Sequence, residues 1–208
     1  MITQQPLETF LDALASGAPT PGGGSAAAIM GAMGAALVSM VCNVTIGKKG
    51  HEAVACAMQT VRDESEKLRM HLTSLVADDI AAFDGLMAAY RLPKVSEENK
   101  SQRAAAIQSS LLAATEAPLA CARACAAVVA LAKRAGEKGY AGVISDAGVG
   151  VLAANTALRS AALNVYINAP LLKDRAFAAG ATAELEQLLD DCARESELVF
   201  DLVRSRLR

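Results

Sequence analysis

The chain has 208 residues, of which 53% are hydrophobic but only 3% aromatic, and 45 are alanine, so its core must be built from small side chains. A chain of this length folding as one domain buries about 70% of its unfolded surface, which excludes disorder and any need for disulfide or metal staples. Lysine and arginine total 20 against 22 aspartates and glutamates, a formal net charge of -2, and such a balance leaves no electrostatic footprint for nucleic acid. Alanine leads the helix-propensity scale and is depleted in strands. We therefore expect an all-α protein, one domain over 1–208, with long helices bundled around a central apolar helix.

Leu7, Phe10, Leu11 and Leu14 repeat at helical spacing and predict a short amphipathic helix over 6–16. A glycine-rich loop, Pro19 to Gly24, follows, and Ser25 is placed to cap the next helix. Between Asp12 and Lys48 lie 35 residues without a formal charge. Ala26 to Ile46 alone would make a helix of about 31 Å, enough to span a bilayer, with Ala27, Gly31 and Ala35 as a small-residue ridge. The stretch is mostly alanine and glycine, lacks an aromatic belt and carries Ser39, Asn43 and Thr45. It reads better as a helix buried at the centre of a helical oligomer, apolar all round because it is covered all round, and no membrane partner is expected.

From His51 to Arg91 one periodic stripe runs through Val54, Met58, Val61, Ser65, Leu68, Leu72, Leu75, Asp79, Phe83, Leu86 and Tyr90, predicting a helix of about 60 Å. An aspartate in an apolar stripe costs free energy unless it is paired or used, which singles out Asp79; Asp78 and Asp84 read as a solvated face. Ser96, followed by Glu97 and Glu98, starts a further helix that Pro118 should kink or divide before Gly136 closes it. Ser145-Asp146 opens the next helix, with Ser145 as its cap; it carries Asn155, Asn164 and Asn168 and stops before Pro170. Leu171 to Arg208 is amphipathic, with Leu185, Leu188, Leu189, Cys192, Val199, Leu202 and Val203 buried.

The five cysteines (Cys42, Cys56, Cys121, Cys125 and Cys192) are odd in number, with no Cys-x-x-Cys and only two histidines in the chain. They read as reduced core thiols of a cytoplasmic protein, without a metal site; His51 and His71 are placed on the surface. Met1 to Asp12 has neither the basic region nor the apolar core of a signal peptide. Pro21-Gly22-Gly23-Gly24-Ser25 lacks the Lys-Ser/Thr ending of a phosphate loop and the dinucleotide-loop spacing. It is either a tight connector or a glycine platform on which a flat ligand or a carboxylate lies close to the backbone.

Together, Phe10–Ser16, Pro19–Ser25, Gly31–Lys49, Asp78-Asp79-x-x-Ala82-Phe83, Leu92-Pro93-Lys94, Ser145 to Val149 and Asn164-Val165-x-x-Asn168 resemble the cyclodeaminase/cyclohydrolase family of folate enzymes. That family includes the C-terminal half of formiminotransferase-cyclodeaminase and the stand-alone methenyltetrahydrofolate cyclohydrolases, and it is the stand-alone branch that the chain most resembles. The resemblance implies an all-helical homodimer with a tetrahydrofolate derivative bound near the subunit interface. It further implies hydrolysis of 5,10-methenyltetrahydrofolate to 10-formyltetrahydrofolate in one-carbon metabolism. The alternatives are cyclodeamination of formiminotetrahydrofolate with release of ammonia, and a non-catalytic helical oligomerisation module. Without a formiminotransferase segment in the chain, hydrolysis is the expectation.

In the methenyl substrate two nitrogens share a positive charge across the bridge carbon, which is already electrophilic, so no cofactor is expected beyond folate as substrate. The enzyme must place water on that carbon and take its proton. Asp79 is assigned this role, with Asp146 as the second catalytic candidate. Asp146, or Asn164 and Asn168, would hold the pterin edge. Gly22, Gly23, Gly24 and Ser25 would supply backbone contacts, and Lys48 or Lys49 a cation for the glutamate tail.

Overall fold

The computed structural model describes residues 2–207; the outermost residues of the expected domain, Met1 and Arg208, lie outside them. Six α-helices follow in order: α1 (Leu7–Ala15), α2 (Gly23–Thr45), α3 (Ala55–Arg91), α4 (Glu97–Lys138), α5 (Ile144–Asn168) and α6 (Arg175–Arg206). Short 3-10 turns precede α3 and α5 and join α5 to α6. No strand occurs among the described residues, as the alanine excess predicts.

The long helices pack through small residues. α2 packs on α3, α4 and α5, and α4 on α3, α5 and α6. α2 and α3 run antiparallel, with Ser25 opposite Asp79 and Gly31 opposite Leu72. α2 and α5 touch backbone to backbone. A methyl at Gly34 would lie 2.8 Å from the carbonyl oxygen of Gly150, and one at Gly150 would lie 3.2 Å from that of Gly34, so each glycine is required by the other helix. α2 is central as expected but not covered all round. Met33 and Val44 are exposed, and Met30, Leu37 and Met40 are half-buried along the same stripe. By length and composition α2, α4 and the 141–171 segment are each apolar enough to cross a membrane.

Several local readings are corrected. Ser25 is not the cap of α2: that helix starts at Gly23 behind an extended Gly22 without a side-chain cap bond, and the Ser25 hydroxyl is engaged elsewhere. Ser145 is likewise not a cap, because a 3-10 turn runs directly into Ile144 and leaves Val143 at that position. Ser96 does cap α4, accepting from the Asn99 amide. Pro118 does not divide α4, which is unbroken over 42 residues. Cys56 is exposed, while the other four thiols are buried. His51 is half-buried with its ring edge on Tyr140, centroids 5.6 Å apart; His71 is exposed as expected.

Candidate active site

The helical stripe of α3 carries Asp79 into a cleft where four helices meet. Gly24 and Ala28 of α2, Leu75 of α3, Ala117, Pro118 and Cys121 of α4 and Ala161 of α5 enclose it. The hydroxyl of Ser25, itself fully buried, donates to Oδ2 of Asp79 at 2.8 Å. The glycine platform is occupied by the protein's own carboxylate: a β-carbon on Gly24 would fall 2.0 Å from Oδ1 of Asp79. Only glycine admits the acid at this distance. Burial pushes the Asp79 carboxyl above the ordinary carboxylate range, against the lowering effect of its hydrogen bonds from the Ser25 side chain and backbone. About 10 Å³ of space remains in the cleft, room for at most a single water.

Gly24→Ala is therefore expected to push the carboxylate off its seat. A displacement of about 1 Å costs roughly 100-fold in turnover, and overpacking costs about 1–3 kcal/mol of stability. Steady-state kinetics beside a thermal melt checks both.

The predicted residues fall into two groups. Gly22 to Ser25 and Asp79 are together, and Asn164 and Asn168 follow Ala161 along α5 toward the same end of the bundle. Asn164 is half-buried and donates to the Ser160 carbonyl at 3.3 Å. The Asn168 amide donates to the Ala114 carbonyl of α4 at 2.7 Å. Lys48, Lys49 and Asp146 lie toward the opposite end of the bundle. The Lys48 ammonium sits over the Tyr140 ring, 4.1 Å from its centroid, and the Tyr140 amide donates to Thr45 at the C-terminus of α2. Gly24 and Thr45 are separated by almost the full length of α2, about 32 Å at 1.5 Å per residue. Asp146 is in the first turn of α5, about 22 Å along the axis from Ala161.

One charged residue near this end was not singled out in the sequence. Arg159 is the only basic residue of α5; it is exposed, two positions from Ala161, at the Asp79 end. Its solitude on an otherwise apolar helix was the available signal.

Roomier grooves, of about 540, 450 and 490 Å³, lie along α5–α6, α3–α4 and α4–α6 and include none of these residues. A drug-sized ligand typically fills about 300–1,000 Å³. At about 10 Å³ the Asp79 cleft is far smaller than such a pocket.

The model of the family described as formiminotransferase-cyclodeaminase matches residues 6–187. The chain belongs to the formiminotransferase-cyclodeaminase family. Within that family it is 56% identical to the methenyltetrahydrofolate cyclohydrolase of Methylorubrum extorquens, over 100% of both chains. It is 35% identical to the formimidoyltransferase-cyclodeaminase of Sus scrofa, covering 99% of this chain but 38% of that larger protein. Among solved structures, formiminotetrahydrofolate cyclodeaminase from Thermotoga maritima superposes with a TM-score of 0.83 at 27% identity, covering 100% of this chain and 98% of the other. The family thus includes two chemistries on one helical fold, and the stand-alone cyclohydrolase matches this chain end to end.

Proposed function

We propose that the protein is a methenyltetrahydrofolate cyclohydrolase in which Asp79 is the general base. The full-length likeness to a cyclohydrolase carries the choice of reaction. The carboxylate seated on Gly24 and held by Ser25 carries the mechanism. Ser25 holds the carboxylate, and a remaining lone pair accepts a proton from a water directed at the bridge carbon. The C–O bond forms as Asp79 takes that proton. Loss of the second hydroxyl proton and cleavage of the C–N5 bond then give the N10-formyl product, with N5 protonated and one proton released overall. The substrate brings its own electrophile, so this chain's residues need only orient, desolvate and move protons. The amidinium cation beside Asp79 stabilises the carboxylate and draws its pKa down on binding.

This gives an expected pH signature. kcat/KM follows the free enzyme, in which burial holds Asp79 high, whereas kcat follows the complex, in which the cation lowers it. The acid limb of kcat/KM is expected at higher pH than that of kcat, and initial rates across the acid range test this. Purified protein assayed side by side on 5,10-methenyl- and formiminotetrahydrofolate tests the function: ammonia release with no methenyl hydrolysis would make it a cyclodeaminase.

The working unit in this reading is a cytoplasmic homodimer joined across α2 and α5. Met33 of α2 and Val149, Leu152 and Leu163 of α5 form an exposed apolar face of the kind that marks an interface, and Arg159 within it speaks against a lipid surface. A two-fold axis perpendicular to α2 pairs opposite ends, setting Lys48, Lys49 and Asp146 of one subunit near Asp79 of the other. The alternative axis would stack the lysines of both subunits on each other. Antiparallel pairing also aligns the helix dipoles favourably. A folate lying along this seam would meet Asp79 from one subunit, with Arg159 or the lysines of the partner subunit available to its glutamate carboxylates.

A further inference from the structure

We propose that Asn168 is a positioning residue of the Asp79 site. Its carboxamide takes the place of the backbone N–H that Pro118 lacks, and so holds the α4 wall against which the base works. In an unbroken α-helix the amide of residue 118 would donate to the carbonyl of residue 114. Proline has no such hydrogen, and its ring ordinarily kinks or breaks the helix, yet α4 continues through a buried Pro118. The carbonyl left over is that of Ala114, and it receives the Asn168 amide at 2.7 Å from the last turn of α5. A buried helical acceptor is thereby satisfied from a different helix, at the turn that supplies Ala117, Pro118 and Cys121 to the Asp79 cleft.

Two consequences follow. The pairing pins the C-terminal end of α5 to the middle of α4, the two helices that bring Ala161 and Pro118 to the Asp79 cleft. It also holds narrow the opening through which water reaches the half-buried Asp79. This inference rests on the reading of Asp79 as the base, but its central element, the exchange between positions 118 and 168, is testable on its own. Among the groups enclosing Asp79 the other side chain that can ionise is the Cys121 thiol.

The experiment compares wild type, Asn168→Ala, Pro118→Ala and the double variant by kinetics, pH profile and thermal melting. Asn168→Ala is expected to lose about 10- to 100-fold in kcat, the scale of a small misplacement. The acid limb of its kcat/KM should move to lower pH as water reaches Asp79. Pro118→Ala restores a backbone donor; because Pro118 also lines the cleft, its own rate, pH profile and melting temperature are the reference for the double variant. In the double variant that donor should return rate, pH profile and melting temperature to the Pro118→Ala level. If Asn168→Ala fails to fold, a folded and active double variant upholds the proposal. It is overturned by a double variant as impaired or unfolded as Asn168→Ala, which would give Asn168 a contact of its own, for instance with the pterin. It is also overturned by an Asn168→Ala protein whose rate or acid limb is unmoved. Wild-type turnover of the two folates judges the function separately, and if ammonia release is the activity found, the same four proteins are compared on it. Should neither folate turn over, melting temperatures that fail to recover in the double variant overturn the exchange, and recovery upholds it.

Discussion

Asp79→Asn is expected to lower kcat by about 10²- to 10⁴-fold, the contribution of a positioned general base, with the folded state intact. Asparagine keeps the size of the side chain and an oxygen for the Ser25 hydroxyl, so the seat on Gly24 stays filled. The effect on stability runs the other way from that on rate. Folding raises the Asp79 pKa, so the stability linked to its protonation is present at low pH and is lost as pH rises through the folded value. Asparagine carries no charge at any pH and escapes this loss. The variant should melt no lower than wild type at neutral pH, and any advantage should close as pH falls toward the ordinary carboxylate range. Stopped-flow or steady-state decay of methenyltetrahydrofolate, beside melts at several pH values, measures both. Near-wild-type turnover would remove Asp79 from catalysis, and weakened folate binding with turnover preserved at saturation would make it a recognition residue.

The second large effect concerns the apolar face. Met33→Glu places a charge on the exposed stripe of α2, where a single subunit tolerates it. Across the proposed two-fold interface the substitution would occur twice. Each buried polar group without a partner costs about 1–3 kcal/mol, together roughly 30- to 10⁴-fold in the dimer dissociation constant. Light scattering coupled to gel filtration should find half the mass, and activity should fall in parallel and recover with protein concentration. A monodisperse, fully active monomer would refute the shared site.

Much of this was legible before the structure. All six helices were expected, α4 as one that Pro118 would kink or divide, and Asp79 stood out because an aspartate cannot sit in an apolar stripe without consequence. The Gly22 to Ser25 loop was recognisable as a place where a carboxylate meets backbone, but not which carboxylate. Ser25 and Asp79 are 54 residues apart, and local rules assign a serine before a helix to capping. Asn168 and Ala114 are also 54 apart; nothing near Pro118 announces that a distant amide rescues it. The two-ended distribution of the remaining residues was hidden for the same reason. Sequence places Lys48 and Asp146 near motifs, whereas helix length and direction place them in space.

The contact between Gly34 and Gly150 has a kinetic meaning for assembly. Because the two backbones already touch, α2 and α5 cannot move closer without a clash or separate without opening a close-packed seam, and their outer stripes form one stiff platform. Association across such a platform needs little ordering of side chains or loops. In the proposed homodimer, subunits should therefore join as rigid bodies, with encounter rather than rearrangement setting the rate, and exchange between labelled and unlabelled dimers should be governed by dissociation alone.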